Sequence, residues 1–470
     1  MEVKKTVLWG VLGCTVLLMN GCATNSVFSA YPSQVEGIKQ QVTVGDFVAA
    51  HAVLEKKSKG ADKLLYLMER GRIAQIAGDI PSSIEDFELV LAEFEAKEAA
   101  AKMTASGAAG AAGALLLNEN AIPYEGESYE RIFVHTFQAL NFLQQRNLEA
   151  AGVEVRRANL AQQLALRENE AALNKAEARD EDARKEAMIK GQNRDYKQKF
   201  SSLSELASKV KNSFQNAYAF YISGLIYEIR GENNDAYIDY KKALEIYPDN
   251  RYLRDDVVRL ATQLGMAEDL EALKAPLAKN NLKRPETGEG KLVVLYEQGY
   301  VPEKQEVNVL IDLRGIPNNM VFPTYVNNQP PRRPLVIGLN GARLGETETI
   351  VEPTAMAAKA LEERLMGMIV RQGLRVLARE RMKDKQMESV FGMLAGLGQM
   401  LLNRADLRSW LMLPAEVQIL HSAAGQGEQT LTLKDGIHSS EVTVDIRSGR
   451  VTVVHVIAAG GRLHTRAITI

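Results

Sequence analysis

Few residues in this chain are of the types and at the spacings that chemistry needs. The six histidines are His51, His135, His421, His438, His455 and His464. A zinc site needs His or Cys ligands in close pairs, such as two histidines four apart on a helix. No such pair occurs; only His455 and His464 are placed to meet, across a closing hairpin. There is no Gly-x-Ser-x-Gly elbow, no phosphate loop ending in Lys-Ser/Thr and no Gly-x-Gly-x-x-Gly turn after a strand. The glycines of "GLNGARLGE" (Gly338–Glu346) suit a turn rather than a dinucleotide. Acidic residues are plentiful but lie mainly on amphipathic helical stretches, where pairing two as acid and base is arbitrary. The expectation is of a protein that is not an enzyme and has no metal or cofactor.

The reactive atom that stands out is the sulfur of Cys22. Lys4 and Lys5 precede a run of about 15 mostly apolar residues, too short for a bilayer span, and Gly21-Cys22 closes it. A small residue before cysteine at the end of such a run resembles a bacterial lipobox. It implies a signal peptide over 1–21, cleaved before a lipidated (diacylglyceryl and palmitate) Cys22, with a tether over 22–32. Ala23, in place of aspartate, implies the outer membrane as destination; the periplasmic face is a separate expectation. The other cysteine, Cys14, lies in the discarded segment, so the exported chain must fold without a disulfide. The formal charge of −2 becomes −3 when Glu2, Lys4 and Lys5 are removed, and no basic stripe offers itself to nucleic acid.

The elements that must carry any function read as paired helices. In "GLIYEIRGENNDAYIDYKKALEIYP", counted from Ala217, Phe220, Gly224 and Tyr227 mark one helix and Gly231 a turn. Ala236, Tyr240 and Ala243 mark a second helix, and Pro248 stops it. Gly224 and Ala236 are small enough for two helices to cross closely, Tyr227 and Tyr240 fill the space beside them, and proline cannot extend a helix. This pattern resembles a tetratricopeptide repeat. A degenerate copy runs through Leu67, Gly71, Ala74, Gly78, Phe87 and Val90, and a better one through His135, Ala139, Phe142, Ala151, Val155 and Ala158. "VGDFVAAHAVLEKK" reads as a lone second helix, and the stretch after Asn250 as a capping pair. Residues 33–277 are therefore expected to form a helical solenoid with two inserts. One is the glycine- and alanine-rich 101–117; the other is the mixed-charge 166–213, read as a protruding helix pair.

The repeat resemblance implies a concave groove for an extended polypeptide. Its expected lining is Met68, Arg72 and Gln75, then Phe133, Thr136, Leu140 and Leu143, then Tyr218, Tyr221, Leu225 and Glu228. The alternative is that these side chains pack within the chain itself.

After a linker over 278–290 the period changes to two. "KLVVLYEQG", "KQEVNVLIDLR", "MVFPTYV" and "RPLVIGL" are strand candidates, and "EVTVDIRSGRVTVVHVIAAGGRLHTRAITI" reads as an antiparallel meander. A helical insertion over 354–404 separates the two strand groups. It consists of an amphipathic helix and the apolar "MESVFGMLAGLGQMLL". The fold class is α + β multidomain, a tetratricopeptide-like solenoid followed by a β-rich, sandwich-like domain over 291–470 with an inserted helix pair.

Four further stretches, "PYEGESYERIFVHTFQALNFL", "GKLVVLYEQGYVPEK", "VFPTY" and "RADLRSWLMLPAEVQI", together resemble a family of bacterial outer-membrane lipoproteins with tetratricopeptide repeats. That resemblance implies a lipid-anchored periplasmic scaffold, binding a protein or peptide in cell-envelope assembly or maintenance. The alternative is an oligomeric envelope assembly or secretion component, in which the glycine-rich segments 103–117 and 388–402 contact membrane or other subunits.

Overall fold

In the computed structural model the described residues are 29–60, 62–104, 119–177, 194–273, 288–313, 316–383 and 404–470. Cys22 lies outside them, as do most of the 101–117 insert, the middle of 166–213 and the apolar second helix of the 354–404 insertion.

Local sequence dictates the helix pairs. α1 (Tyr31–Val44) has Pro32 in its first turn and ends at Gly45, whose φ of 82° is the left-handed conformation that glycine adopts freely. α2 (Phe47–Lys57) begins at Asp46, whose carboxylate caps Ala49 N at 3.0 Å. "VGDFVAAHAVLEKK" is thus the second helix of a pair rather than a lone one, and α1 starts inside the expected tether. α3 (Lys63–Ala77) pairs with α4 (Ile80–Thr104), and α5 (Ser128–Gln144) with α6 (Leu148–Glu177). α7 (Arg194–Lys199) and α8 (Ser201–Ala207) are short. α9 (Ala217–Ile229) pairs with α10 (Asn233–Ile246), and α11 (Arg251–Leu264) with α12 (Ala267–Ala272).

The small residues do what their spacing suggested. A Cβ at Gly224 would lie 2.7 Å from the Tyr240 ring, and one at Gly71 would lie 2.8 Å from the Phe87 ring. Gly231 turns the chain at φ 79°, and α10 stops short of Pro248. Gly224→Ala is expected to cost about 1 kcal/mol net in urea denaturation. Overpacking, about 1–3 kcal/mol, outweighs the gain in helix propensity of about 1 kcal/mol.

The middle of the expected helix pair in 166–213 lies outside the described residues, and its described flanks are these. α6 runs on as one helix to Glu177, and α7 and α8 lie on the β-rich region. The Phe200 ring sits 6.4 Å from that of Phe322, and Leu203 and Leu206 are buried. The charge pattern of the segment hid this short apolar face.

The C-terminal region holds eleven strands among the described residues: β1 (Glu289–Gln298), β2 (Gln305–Leu313), β3 (Ile316–Thr324), β4 (Val336–Leu339), β5 (Ala342–Glu346), β6 (Glu348–Val351), β7 (Glu416–Gly425), β8 (Gly427–Lys434), β9 (Ser439–Ile446), β10 (Val451–Ala459) and β11 (Arg462–Thr469). A single described helix, α13 (Pro353–Lys383), interrupts them. Strands β11-β10-β1-β7-β6 form a five-stranded sheet, β5-β4-β8-β9 a four-stranded one, and β2-β3 a ribbon. The two larger sheets pack together, with Ile446 against Gly290 and Leu420 against Gly345.

The last three strands are not the expected meander. β10 and β11 form an antiparallel hairpin, but β9 pairs with β8 in the other sheet, and β10 lies parallel to β1. The Ser448-Gly449 turn therefore carries the chain from one sheet to the other. Turn residues mark where a chain reverses, not which sheet it joins.

Candidate functional site

Strand β1 is buried almost throughout, and its period of two sends alternate residues to different layers. Gly290 and Tyr296 face the four-stranded sheet, whereas Lys291 and Glu297 reach the helices. Val293 and Leu295 share the helix-facing side. Glu297 is fully buried, pairs with Arg72, and accepts from Tyr218 Oη at 3.3 Å. His455, on neighbouring β10, places Nε2 2.8 Å from the same carboxylate. At the other end Lys291 Nζ lies 2.7 Å from Asp256 and 3.0 Å from Glu228, and Arg259 bridges the same two carboxylates at 2.6 and 2.7 Å. His421 of β7 lies 2.9 Å from Tyr252 O. Arg466 of β11 donates to Gln75 O and Ile76 O at 2.6 and 2.8 Å, a cation closing the C-terminus of α3. The five-stranded sheet thus lies across the inner helices α3, α5, α9 and α11.

A non-helical segment fills the rest of the hollow. Trp410 stands edge-on to Phe87 and Phe137, with ring centroids 6.2 and 5.8 Å away. Glu130 accepts from Trp410 N at 3.0 Å, and Glu69 accepts from Leu411 N at 2.7 Å and Met412 N at 2.9 Å. Arg408 donates to Asp62, Glu119 O and Ile122 O. Buried carboxylates that grip backbone amides, with an aromatic box beside them, are the means by which a groove holds an extended peptide. Here the peptide is the chain's own.

The expected groove residues are therefore brought together but are not open. Met68, Arg72, Gln75, Phe133, Thr136, Leu140, Leu143, Tyr218, Tyr221 and Leu225 are buried, and Glu228 is tied to Lys291 and Arg259. The expectation of an accessible partner groove is corrected: the array spends its concave face on its own C-terminal region. Of the residues placed within the repeat, Gly224, Ala236, Tyr240 and Ala243 are buried between helices, and Tyr227 nearly so. His455 and His464 are occupied separately, His455 by Glu297 and His464 by the Phe47 ring, 5.6 Å between centroids. Sequence reasoning passed over Glu69, Glu130, Glu297, Lys291 and Trp410. A lone charge inside an apolar strand, as Glu297 is in "KLVVLYEQ", was the available signal.

The buried charges set a pH dependence. Burial favours the protonated form of Glu297, but Arg72 and His455 overcome it and hold the carboxyl down at about 2. Against about 4.3 for an unfolded glutamate, that contributes about 3 kcal/mol above pH ~4.3, lost as the pH falls towards 2. Glu69 has the opposite sign. Burial pushes it up to about 7 against the pull of Leu411 N, Tyr31 and Met412 N. The folded chain then holds a proton that the unfolded chain has released, so this contribution declines as the pH rises from about 4.3 to 7. Urea midpoints are expected to be highest near pH ~5 and lower at both pH ~3 and pH ~8.

No protein-family model matches the chain, and no curated protein matches it significantly. Its helix pairs cross closely at small residues, as tetratricopeptide repeats do. Solved structures similar to this region include the crystal structure of MamA, at 13% identity and a TM-score of 0.28, covering 50% of this chain and 89% of that one. The TPR2AB domain of yeast Sti1 in complex with pHSP90 is similar at 14% identity and a TM-score of 0.20, covering 51% and 88%. A tetratricopeptide repeat protein from Parabacteroides merdae follows at 15% identity and a TM-score of 0.14, covering 49% and 98%. Likeness this weak carries no argument; the close crossings at Gly71 and Gly224 carry the repeat assignment.

Proposed function

We propose that this chain is a protein-interaction scaffold of the bacterial envelope, tethered through lipidated Cys22 and bound to its partner outside the concave face. One observation carries the reading. The hollow is filled from within, while a cleft of about 760 Å³ stands open where α6 and the α9–α10 pair meet the β-rich region. Phe220, Ile246, Tyr247, Val351 and Met356 contribute its apolar surface, with Lys211 and Leu166 on the rim. Its walls are tied together by Lys209–Glu352 at 2.7 Å, by Ser213 to Glu363 at 2.7 Å and by Asn250 to Thr349 O at 2.9 Å. A firm apolar cleft with a polar rim suits a short segment of a partner protein.

The test is crosslinking in intact cells followed by mass spectrometry, comparing wild type with Leu166→Asp/Lys211→Glu. Both substitutions sit on the rim, so the variant should fold normally and lose a partner that the wild type captures. Retention of every partner by the folded variant would overturn the cleft. Tyr218→Ala with Tyr221→Ala and Leu140→Ala is not a binding test, because these side chains are core and their loss should unfold the chain.

The second reading, an oligomeric envelope or secretion component, uses two glycine-rich segments whose described flanks meet. Asn120 donates to Ala405 O at 3.0 Å, joining the described flanks of the two glycine-rich segments. Sizing and detergent partitioning of a Cys22→Ser form separates the readings: a monomer that never partitions would sink the second.

A further inference from the structure

Among the described residues, the three most exposed large apolar side chains are Val48 at 83%, Ile437 at 78% and Val44 at 72%. Single exposed apolar residues are ordinary, but these three come from two segments, the α1–α2 corner and the loop after β8, that flank one turn. The Gly460-Gly461 turn between β10 and β11 fits so closely against the end of α1 that a Cβ at Gly460 would lie 2.7 Å from Thr43 O. Val44 follows Thr43, and Val48 lies just beyond in α2. On the other side a Cβ at Gly461 would lie 3.8 Å from His438 Nε2, and Ile437 precedes His438. Arg462 adds a cation beside Gly45.

We propose that this tip is a second membrane contact, laying Val44, Val48 and Ile437 on the surface of the bilayer that holds the lipid. The proposal rests on the anchored reading of Cys22. The occupant follows from the length of chain before α1. From Cys22 to Ala30 an extended chain reaches about 30 Å, whereas α1, with 14 residues, is about 21 Å long. That reach exceeds the length of the helix, which allows the far end of α1 to meet the bilayer while Cys22 stays in it. A single lipid anchor leaves a protein free to swing, and a few apolar side chains at the interface would fix its orientation.

The test uses a chain that starts at residue 22 with Cys22→Ser, sedimented with vesicles of phosphatidylethanolamine and phosphatidylglycerol. The wild-type tip should bring protein down with the vesicles. Val44→Asp/Val48→Asp/Ile437→Asp should lower the bound fraction about tenfold or more with an unchanged melting curve. No vesicle binding by the wild type, or equal binding by the variant, would overturn the proposal. Self-association that the variant abolishes, without vesicle binding, would assign the tip to a second copy and overturn it as well. Labelled fatty acid supplied to cells reports on Cys22 independently, so failure of the anchor and failure of the tip give different results.

Discussion

Replacing Glu297 with leucine is expected to lower folding stability by about 3–5 kcal/mol, because Arg72 is then left as a buried cation without its partner. The side chains of Arg72 and Glu297 are 1% and 0% exposed, so water cannot take over the lost interaction. The Arg72 guanidinium also lies 4.4 Å from the centre of the Phe137 ring, so it cannot leave without opening the aromatic box around Trp410. The double variant Arg72→Met/Glu297→Leu should recover most of the loss, since a buried ion pair exchanged for apolar side chains of similar volume is often neutral. Urea denaturation of wild type, Glu297→Leu, Arg72→Met and the double variant gives the coupling energy directly. Equal losses in the single and double variants would mean that the pair does not join the two regions.

Trp410→Ala is expected to cost a further large amount, about 3–5 kcal/mol, through the cavity it opens between Phe87 and Phe137. Trp410 is 1% exposed, and its own backbone N–H is held by Glu130, so the segment cannot easily slide to refill the space. The two tryptophans of the chain are Trp9 and Trp410. In a chain that starts at residue 22, emission therefore reports on this site alone. It should be blue-shifted in the native state and move to the red in one step with the loss of helix signal. Trp410→Phe should lose much less than Trp410→Ala, because an aromatic ring remains in the box.

The parts of this architecture that sequence makes legible are those held by local contacts. Gly224 meets Tyr240 and Gly71 meets Phe87 within one helix pair, so fixed spacing alone reveals the crossing. The strand segments are legible for the same reason, through alternation and turn residues. What covers the hollow is not local. β1 pairs with β10 about 160 residues later, and Glu69 grips Leu411 from more than 340 residues away. An apolar groove and the apolar sheet that fills it look, in sequence, like two independent surfaces that each want a partner. Lys291 and Glu297 carry the hint that was passed over. Charges of opposite sign at the two ends of one strand face match acidic Glu228 and Asp256 at one end of the hollow and basic Arg72 at the other. That arrangement fixes the direction and register of the strand in its cradle.

A helical array folded around its own sheet stands or falls on the reactivity of a buried thiol. The two cysteines are Cys14 and Cys22, so a chain that starts at residue 22 with Cys22→Ser contains none. Val293→Cys on the helix-facing side of β1 and Thr136→Cys on α5 are then single probes, with Val48→Cys as the exposed control. Under native conditions the control should react with a thiol reagent at the rate of a free cysteine, and the two buried probes more slowly by about three orders of magnitude. Labelling of Thr136→Cys and Val293→Cys within about tenfold of the control, in chains that melt normally, would show an open hollow and contradict the account.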